Sequence, residues 1–158
     1  MVTLRERQLE DAERFWHLLS NPKFVYFGRP PKDIEGERAY IQKELNNPHL
    51  INYTIMYDDI IVGGIGVKLS PHRDWIGEIG YFVDAEYWNK GIASKALKLC
   101  EKPCYDASLR RLELLIDERN TASRVVALKC GYELEGKLKS RLKTNGFYSD
   151  GFMYSKLI

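Results

Sequence analysis

Hydrophobic and polar positions change period several times along the chain, and each change marks an element. Val2 to Arg7 alternates at period two, the mark of a strand with one buried face. From Asp11 the apolar residues Phe15, Trp16, Leu18 and Leu19 fall on one helical face, and Asn21-Pro22 stops the pattern. Asp33, whose carboxylate can accept from a first-turn amide, opens a second helix with Ile34, Tyr40, Ile41 and Leu45 at near-helical spacing, closed by Asn46-Asn47-Pro48. Two β-rich runs, Leu50 to Tyr57 and Ile60 to Leu69, are separated only by Asp58-Asp59, so an antiparallel hairpin is predicted. Gly63, Gly64 and Gly66 in the second run point to close backbone approach or a bulge.

A loop is predicted over Ser70 to Trp75, followed by a strand from Ile76 to Val83 and a polar, aromatic connector from Asp84 to Asn89. A helix from Lys90 to about Lys102 comes next, with an end or kink at Pro103, because proline removes an amide donor and clashes with the preceding turn. Leu109 to Ile116 reads as a strand and Thr121 to Lys129 as a helix ended by Cys130-Gly131. Tyr132 to Leu142 and Phe147 to Leu157 form a last hairpin around Thr144-Asn145-Gly146, since Asn-Gly favours a tight turn. The result is a mixed α/β chain with antiparallel middle strands and a right-handed parallel crossover over 76 to 116.

A length of 158 residues suits one domain spanning residues 1–158, and a hydrophobic content of 44% excludes disordered and low-complexity classes. Lys and Arg exceed Asp and Glu by 24 to 22, so no dedicated nucleic-acid surface is implied. The basic alternation of Lys137, Lys139, Arg141 and Lys143 reads as the solvent face of a hairpin. The longest apolar stretches, such as Ile60 to Val67, are too short to cross a membrane, and the charged start from Met1 to Glu10 has no signal-peptide core, so a cytoplasmic protein without membrane partners is expected. Cys100, Cys104 and Cys130 are an odd, sparse set read as reduced structural thiols. His17, His49 and His72 are isolated, so no metal site is expected.

The most informative stretch is Glu86 to Leu97, between a strand and a helix. Gly91 has no Cβ and Ala93 little side chain, so the amides of Asn89, Lys90, Gly91, Ile92, Ala93 and Ser94 can turn toward one anion at a helix N-terminus, with Lys90 adding positive charge. The bland reading is an ordinary loop that caps a helix. A P-loop is absent, and Gly64-Ile65-Gly66 lacks the third glycine of a dinucleotide fingerprint. Glu78, flanked by Ile76, Ile79 and Tyr81, is either an outward strand residue or a base held in a cleft.

Gly77 to Leu97, followed by Asp117 to Gly136, resembles the GNAT family of acetyl-CoA-dependent N-acetyltransferases, and the closing Asn145 to Tyr154 resembles the last hairpin of its RimJ and RimL type branch. The resemblance implies the GNAT fold, a single mixed, largely antiparallel sheet flanked by helices. It implies that Asn89 to Ser94 hold the coenzyme A pyrophosphate and that the backbone of Tyr81, Phe82 and Val83 pairs with pantetheine and stabilises developing charge. Asn120 matches the family asparagine that contacts the coenzyme near the thioester. Trp88 stands where the general motif begins with Gln or Arg, as is usual in the RimL-like branch. Glu78 becomes the base for the acceptor amine, directly or through water. The tyrosine that many members place four residues before the second glycine is here Ala127, which leaves Ser123 as the candidate acid, with Tyr148 and Tyr154 of the last hairpin, read as edge-strand packing residues, as weaker ones; the bland reading of Ser123 is a first-turn serine serving a local amide.

The resemblance thus implies acetyl transfer from acetyl-CoA to a primary amine by direct attack in a ternary complex, without a metal, by a monomer or homodimer. The acceptor it favours is a protein or peptide N-terminal α-amine; small amines such as polyamines, amino acids or aminoglycosides are the alternative. A catalytically idle acyl-CoA-binding module regulating a partner is the rival from another class, and it has no use for Glu78.

Overall fold

The computed structural model describes residues 1–28 and 31–158. Seven strands, β1 (Val2–Glu6), β2 (Leu50–Tyr57), β3 (Ile60–Ser70), β4 (Arg73–Val83), β5 (Arg111–Asp117), β6 (Glu133–Thr144) and β7 (Phe147–Leu157), form one sheet in the order β1-β2-β3-β4-β5-β7-β6. Every neighbouring pair is antiparallel except β4 and β5. The helices are α1 (Ala12–Leu19), α2 (Ile34–Leu45), α3 (Ile92–Asp106) and α4 (Thr121–Lys129), with single 3-10 turns at Leu9–Asp11 and Ala85–Tyr87. The mixed, mostly antiparallel sheet implied by the resemblance is the observed one.

Local chemistry accounts for the boundaries. Asp58 and Asp59 turn β2 into β3, and Asn145 and Gly146 turn β6 into β7, each pair with both residues at positive φ, which matches the twist of a two-residue hairpin. Asp33 caps α2 by accepting from the Gly36 amide at 2.7 Å. The apolar stripe of α1 buries Phe15 and Leu18 with Ile41 of α2 on one face of the sheet. On the other face Ile92, Leu97, Cys100 and Cys104 of α3 and Ala127 of α4 pack on Ile55, Val62, Ile65, Ile79 and Leu114. All three cysteines are buried thiols, as expected.

Three expectations are corrected. Ser70 to Trp75 is not a loop, because Ser70 pairs with Arg73 and β3 passes into β4 through a tight turn at Pro71-His72. Pro103 does not end its helix, which continues to Asp106; the carbonyl left without a donor belongs to Leu99, on the exposed face where water can serve it. The last hairpin's inner strand, β7, is no edge strand, because it lies between β5 and β6.

The glycines of β3 set the spacing beside β4. A Cβ at Gly63 would stand 2.1 Å from the Phe82 carbonyl oxygen, so no larger residue fits against that part of β4.

Candidate active site

β4 and β5 stay paired for only three rungs, Ile76–Arg111, Gly77–Leu112 and Glu78–Glu113. Beyond them β4 follows β3 up to Val83 while β5 follows β7 up to Asp117, so the two strands part and a wedge opens between Ile79–Val83 and Leu114–Asp117. Strand hydrogen bonding alternates, and the Asp84 amide donates to the Val62 carbonyl at 2.7 Å. That phase turns the amides of Gly80 and Phe82 toward β3 and those of Ile79, Tyr81 and Val83 into the wedge. The expectation that Phe82 offers its backbone is thereby corrected, while Tyr81 and Val83 do face the wedge. The Val83 carbonyl is already taken by the Trp88 indole N–H at 2.7 Å.

Asn89 to Ser94 lie at the end of β4. Asn89 and Gly91 both have positive φ, of 64° and 74°, and Gly91 is the N-cap of α3 without any side-chain cap bond. The first backbone bond of the helix is Lys95 N–H to the Gly91 carbonyl at 3.1 Å. The amides of Ile92, Ala93 and Ser94 therefore have no helical acceptor. Nothing lies within 4 Å of where a Gly91 Cβ would stand. Lys90 is held beside the loop with its ammonium 4.6 Å from the Tyr87 ring centre. Free amides, a helix dipole, one cation and open space together suit a diphosphate.

α4 delivers the next groups. Asn120 caps this helix, its Oδ1 accepting from the Ser123 amide at 3.1 Å, so its amide group remains as a donor. Ser123 is not the residue serving a local amide; Asn120 does that, and the Ser123 hydroxyl is left at the cavity wall. The Tyr81 hydroxyl lies close enough to Ser123 to feel it, yet closes no hydrogen bond of acceptable geometry. Burial pushes the Tyr81 phenol up to about 12.

Asp117 fixes the segment that brings Asn120 into place. Its carboxylate accepts from Arg119 Nε and Nη2 at 2.9 Å each, from the Arg119 amide at 3.0 Å and from the Ser149 hydroxyl at 2.6 Å. The Arg119 guanidinium, helped by Ser149 and that amide, outweighs burial and holds the Asp117 carboxyl well below the usual carboxylate range. Tyr26 closes over this segment by donating to the Arg119 carbonyl at 3.1 Å. A carboxyl lowered on folding stabilises the protein above its unfolded pKa of about 3.9 and ceases to do so as pH falls through its native value. Asp117→Asn should therefore lower stability by about 1 to 3 kcal/mol at neutral pH. In denaturant titrations, the gap from the wild type should narrow steadily below about pH 4.

The wedge opens into a cavity of roughly 680 Å³. Glu78 sits on its wall at the last paired rung, exposed, on the same face of β4 as Gly80 and Phe82, with Lys68 opposite on β3. Phe82 is ringed by Phe15, Phe24 and Phe27 at 5.0, 6.5 and 5.6 Å between ring centres, which ties the chain after α1 to the site. Arg7, buried at the end of β1, bonds Glu44 of α2 at 2.6 Å and the Tyr53 carbonyl at 3.0 Å, fixing the far wall. Tyr148 is 67% exposed and stacks with Lys143, while buried Tyr154 accepts from Arg124 at 3.2 Å; neither lines the cavity. Among the described residues no cluster of three or more His, Cys, Asp or Glu side chains is placed to hold a metal ion, and no helix is long and apolar enough to cross a membrane.

Comparison with known proteins shows the family. A family model described as an acetyltransferase (GNAT) domain matches residues 1–133. The chain belongs to the GNAT acetyltransferase family. It is 28% identical over 165 residues to an N-acetyltransferase named p20 from Bacillus licheniformis, covering 99% of this chain and 92% of that one. It is 32% identical over 107 residues to the ribosomal-protein-serine acetyltransferase of Escherichia coli, covering 67% of this chain and 60% of that one. The microcin C7 self-immunity acetyltransferase MccE, solved with acetyl-CoA and AMP, matches with a TM-score of 0.89 at 26% identity over 99% of this chain and 92% of that one.

This acetyltransferase uses acetyl-CoA as its acetyl donor. Several groups that shape its site escaped the sequence reading: the Tyr81 side chain, Asp117 with Arg119, buried Arg7, and the aromatic wall of Phe24 and Phe27. The period-two pattern of β4 was the one signal for Tyr81, since it puts that side chain on the face opposite Glu78.

Proposed function

We propose that the acceptor is the N-terminal α-amine of a protein or peptide. One observation carries this reading: the cavity of roughly 680 Å³ runs on past the wedge to Tyr26, Phe27 and Gly28, which meet Lys143 of the last hairpin, and to Tyr40, Lys43 and Glu44 of α2, room for the end of a chain. The similarity to the ribosomal-protein-serine acetyltransferase supports it. The amides of Asn89 to Ser94 hold the pyrophosphate of acetyl-CoA, and the amides of Tyr81 and Val83 meet the pantetheine arm. The coenzyme supplies an acetyl thioester, an acyl group activated toward amines. Glu78 accepts the proton of the incoming amine, directly or through one water, because an α-amine titrating near ~8 is mostly protonated at neutral pH. Asn120 and Ser123 hold the thiol end.

Competition assays with short peptides, spermidine and free amino acids, each with acetyl-CoA, test the acceptor. Peptides with a free N-terminus should be turned over fastest, and the same peptides blocked at the N-terminus should be inert. Faster turnover of spermidine or of free amino acids would overturn the reading.

A further inference from the structure

The Tyr81 hydroxyl is a buried polar group with no hydrogen-bond partner, on a residue that lines the wedge. A buried hydroxyl left unpaired costs stability, about 1 to 3 kcal/mol in general, so its retention calls for a reason. Other tyrosines show the contrast. Tyr154 is paired with Arg124, and Tyr132, whose hydroxyl is also unpartnered, lies in the core away from the cavity. Tyr81 alone of the three lines the site, on the β4 face that meets α4, beside Ser123.

We propose that the Tyr81 hydroxyl donates a hydrogen bond to the coenzyme sulfur and holds the leaving thiolate in the wedge. This rests on the reading that acetyl-CoA lies between β4 and β5. In the transfer, the acceptor nitrogen forms the C–N bond to the acetyl carbon, the C–S bond breaks, and its electron pair stays on sulfur. The amine's proton leaves through Glu78 to water. Tyr81 keeps its own proton throughout: burial holds the phenol at about 12, so it remains a neutral donor at any working pH. A hydrogen bond to the charged form lowers a thiol's pKa, and Tyr81 adds its donor to those of Asn120 and Ser123.

The test uses free coenzyme A and needs no acceptor. Thiolate absorbance of the bound coenzyme is titrated in wild type, Tyr81→Phe and Ser123→Ala, alongside binding of desulfo-coenzyme A, which lacks the sulfur. Tyr81→Phe should raise the bound thiol's pKa by about one unit, a tenfold loss of acidity. Desulfo-coenzyme A should bind both proteins equally, and the melting temperature of ligand-free Tyr81→Phe should not fall, because the lost hydroxyl has no partner to leave behind. Ser123→Ala should shift the thiol less. The proposal is overturned if the thiol titrates alike in wild type and Tyr81→Phe, if Ser123→Ala alone produces the shift, or if ligand-free Tyr81→Phe melts lower. Failure of the wild type to bind either compound overturns the acetyl-CoA placement, and this inference with it.

Discussion

Glu78→Gln is expected to lower turnover by about 10² to 10⁴ while leaving acetyl-CoA affinity nearly unchanged. The substitution keeps the size and shape of the side chain and removes only its ability to take a proton. Because Glu78 stands exposed on the cavity wall rather than enclosed, water can reach the amine in its absence, which places the expected loss toward the lower end of that range. The same exposure predicts recovery at high pH, where the fraction of unprotonated amine rises without help. Initial rates of wild type and Glu78→Gln across pH, with affinity for acetyl-CoA measured separately, check both parts. Wild-type turnover in the variant at neutral pH would make Glu78 an outward strand residue and assign deprotonation to solvent. A loss that appears in acetyl-CoA affinity alone would place the carboxylate on the coenzyme side of the wedge. A catalytically idle binding module would show no difference at any pH.

What the sequence disclosed and what it hid divide along physical lines. Features set by neighbours in the chain were legible: the alternation of β4, the cap of α2 at Asp33, the positive-φ turns at Asp58-Asp59 and Asn145-Gly146, and the boundaries of α4. Pro103 misled because a helix break costs little where the orphaned carbonyl, that of Leu99, faces water, and exposure is a property of the fold. Phe82 misled differently. Period two tells which residues share a face, but not which edge of the strand their amides address; that phase is fixed by pairing with β3, seen in the bond from Asp84 to Val62. Arg7 reads as the polar end of a strand, and its partners Glu44 and Asn52 lie 37 and 45 residues away, beyond any local pattern. Resemblance supplied the roles of Asn120 and Ser123. The structure adds that Asn120 caps α4 and that Tyr81 lines the same cavity from β4.

Gly91→Val should abolish the stabilisation that acetyl-CoA gives the wild type. At a ligand concentration near one hundred times its dissociation constant that stabilisation is about 2.7 kcal/mol, and for a chain of this size it raises the melting temperature by roughly 5 to 10 °C. Two separate effects act at this position. The backbone has φ +74°, a conformation in which a β-branched residue costs on the order of 1 to 3 kcal/mol, so the ligand-free variant should itself melt a few degrees lower. No protein atom lies within 4 Å of the added Cβ, so the variant should still fold. What the valine occupies instead is the space in front of the amides of Ile92, Ala93 and Ser94, which have no other acceptor, and a diphosphate and an isopropyl group cannot share it. Gly91→Ala separates the two effects, since it carries the same kind of backbone strain with less bulk: its ligand-free melting temperature should fall similarly, while part of the acetyl-CoA shift survives. Thermal melts of the three proteins with and without acetyl-CoA are sufficient. A full shift in Gly91→Val would place the pyrophosphate elsewhere on the molecule, and a shift lost equally in the alanine and valine variants would mean that loop conformation, not room for the anion, is what Gly91 provides.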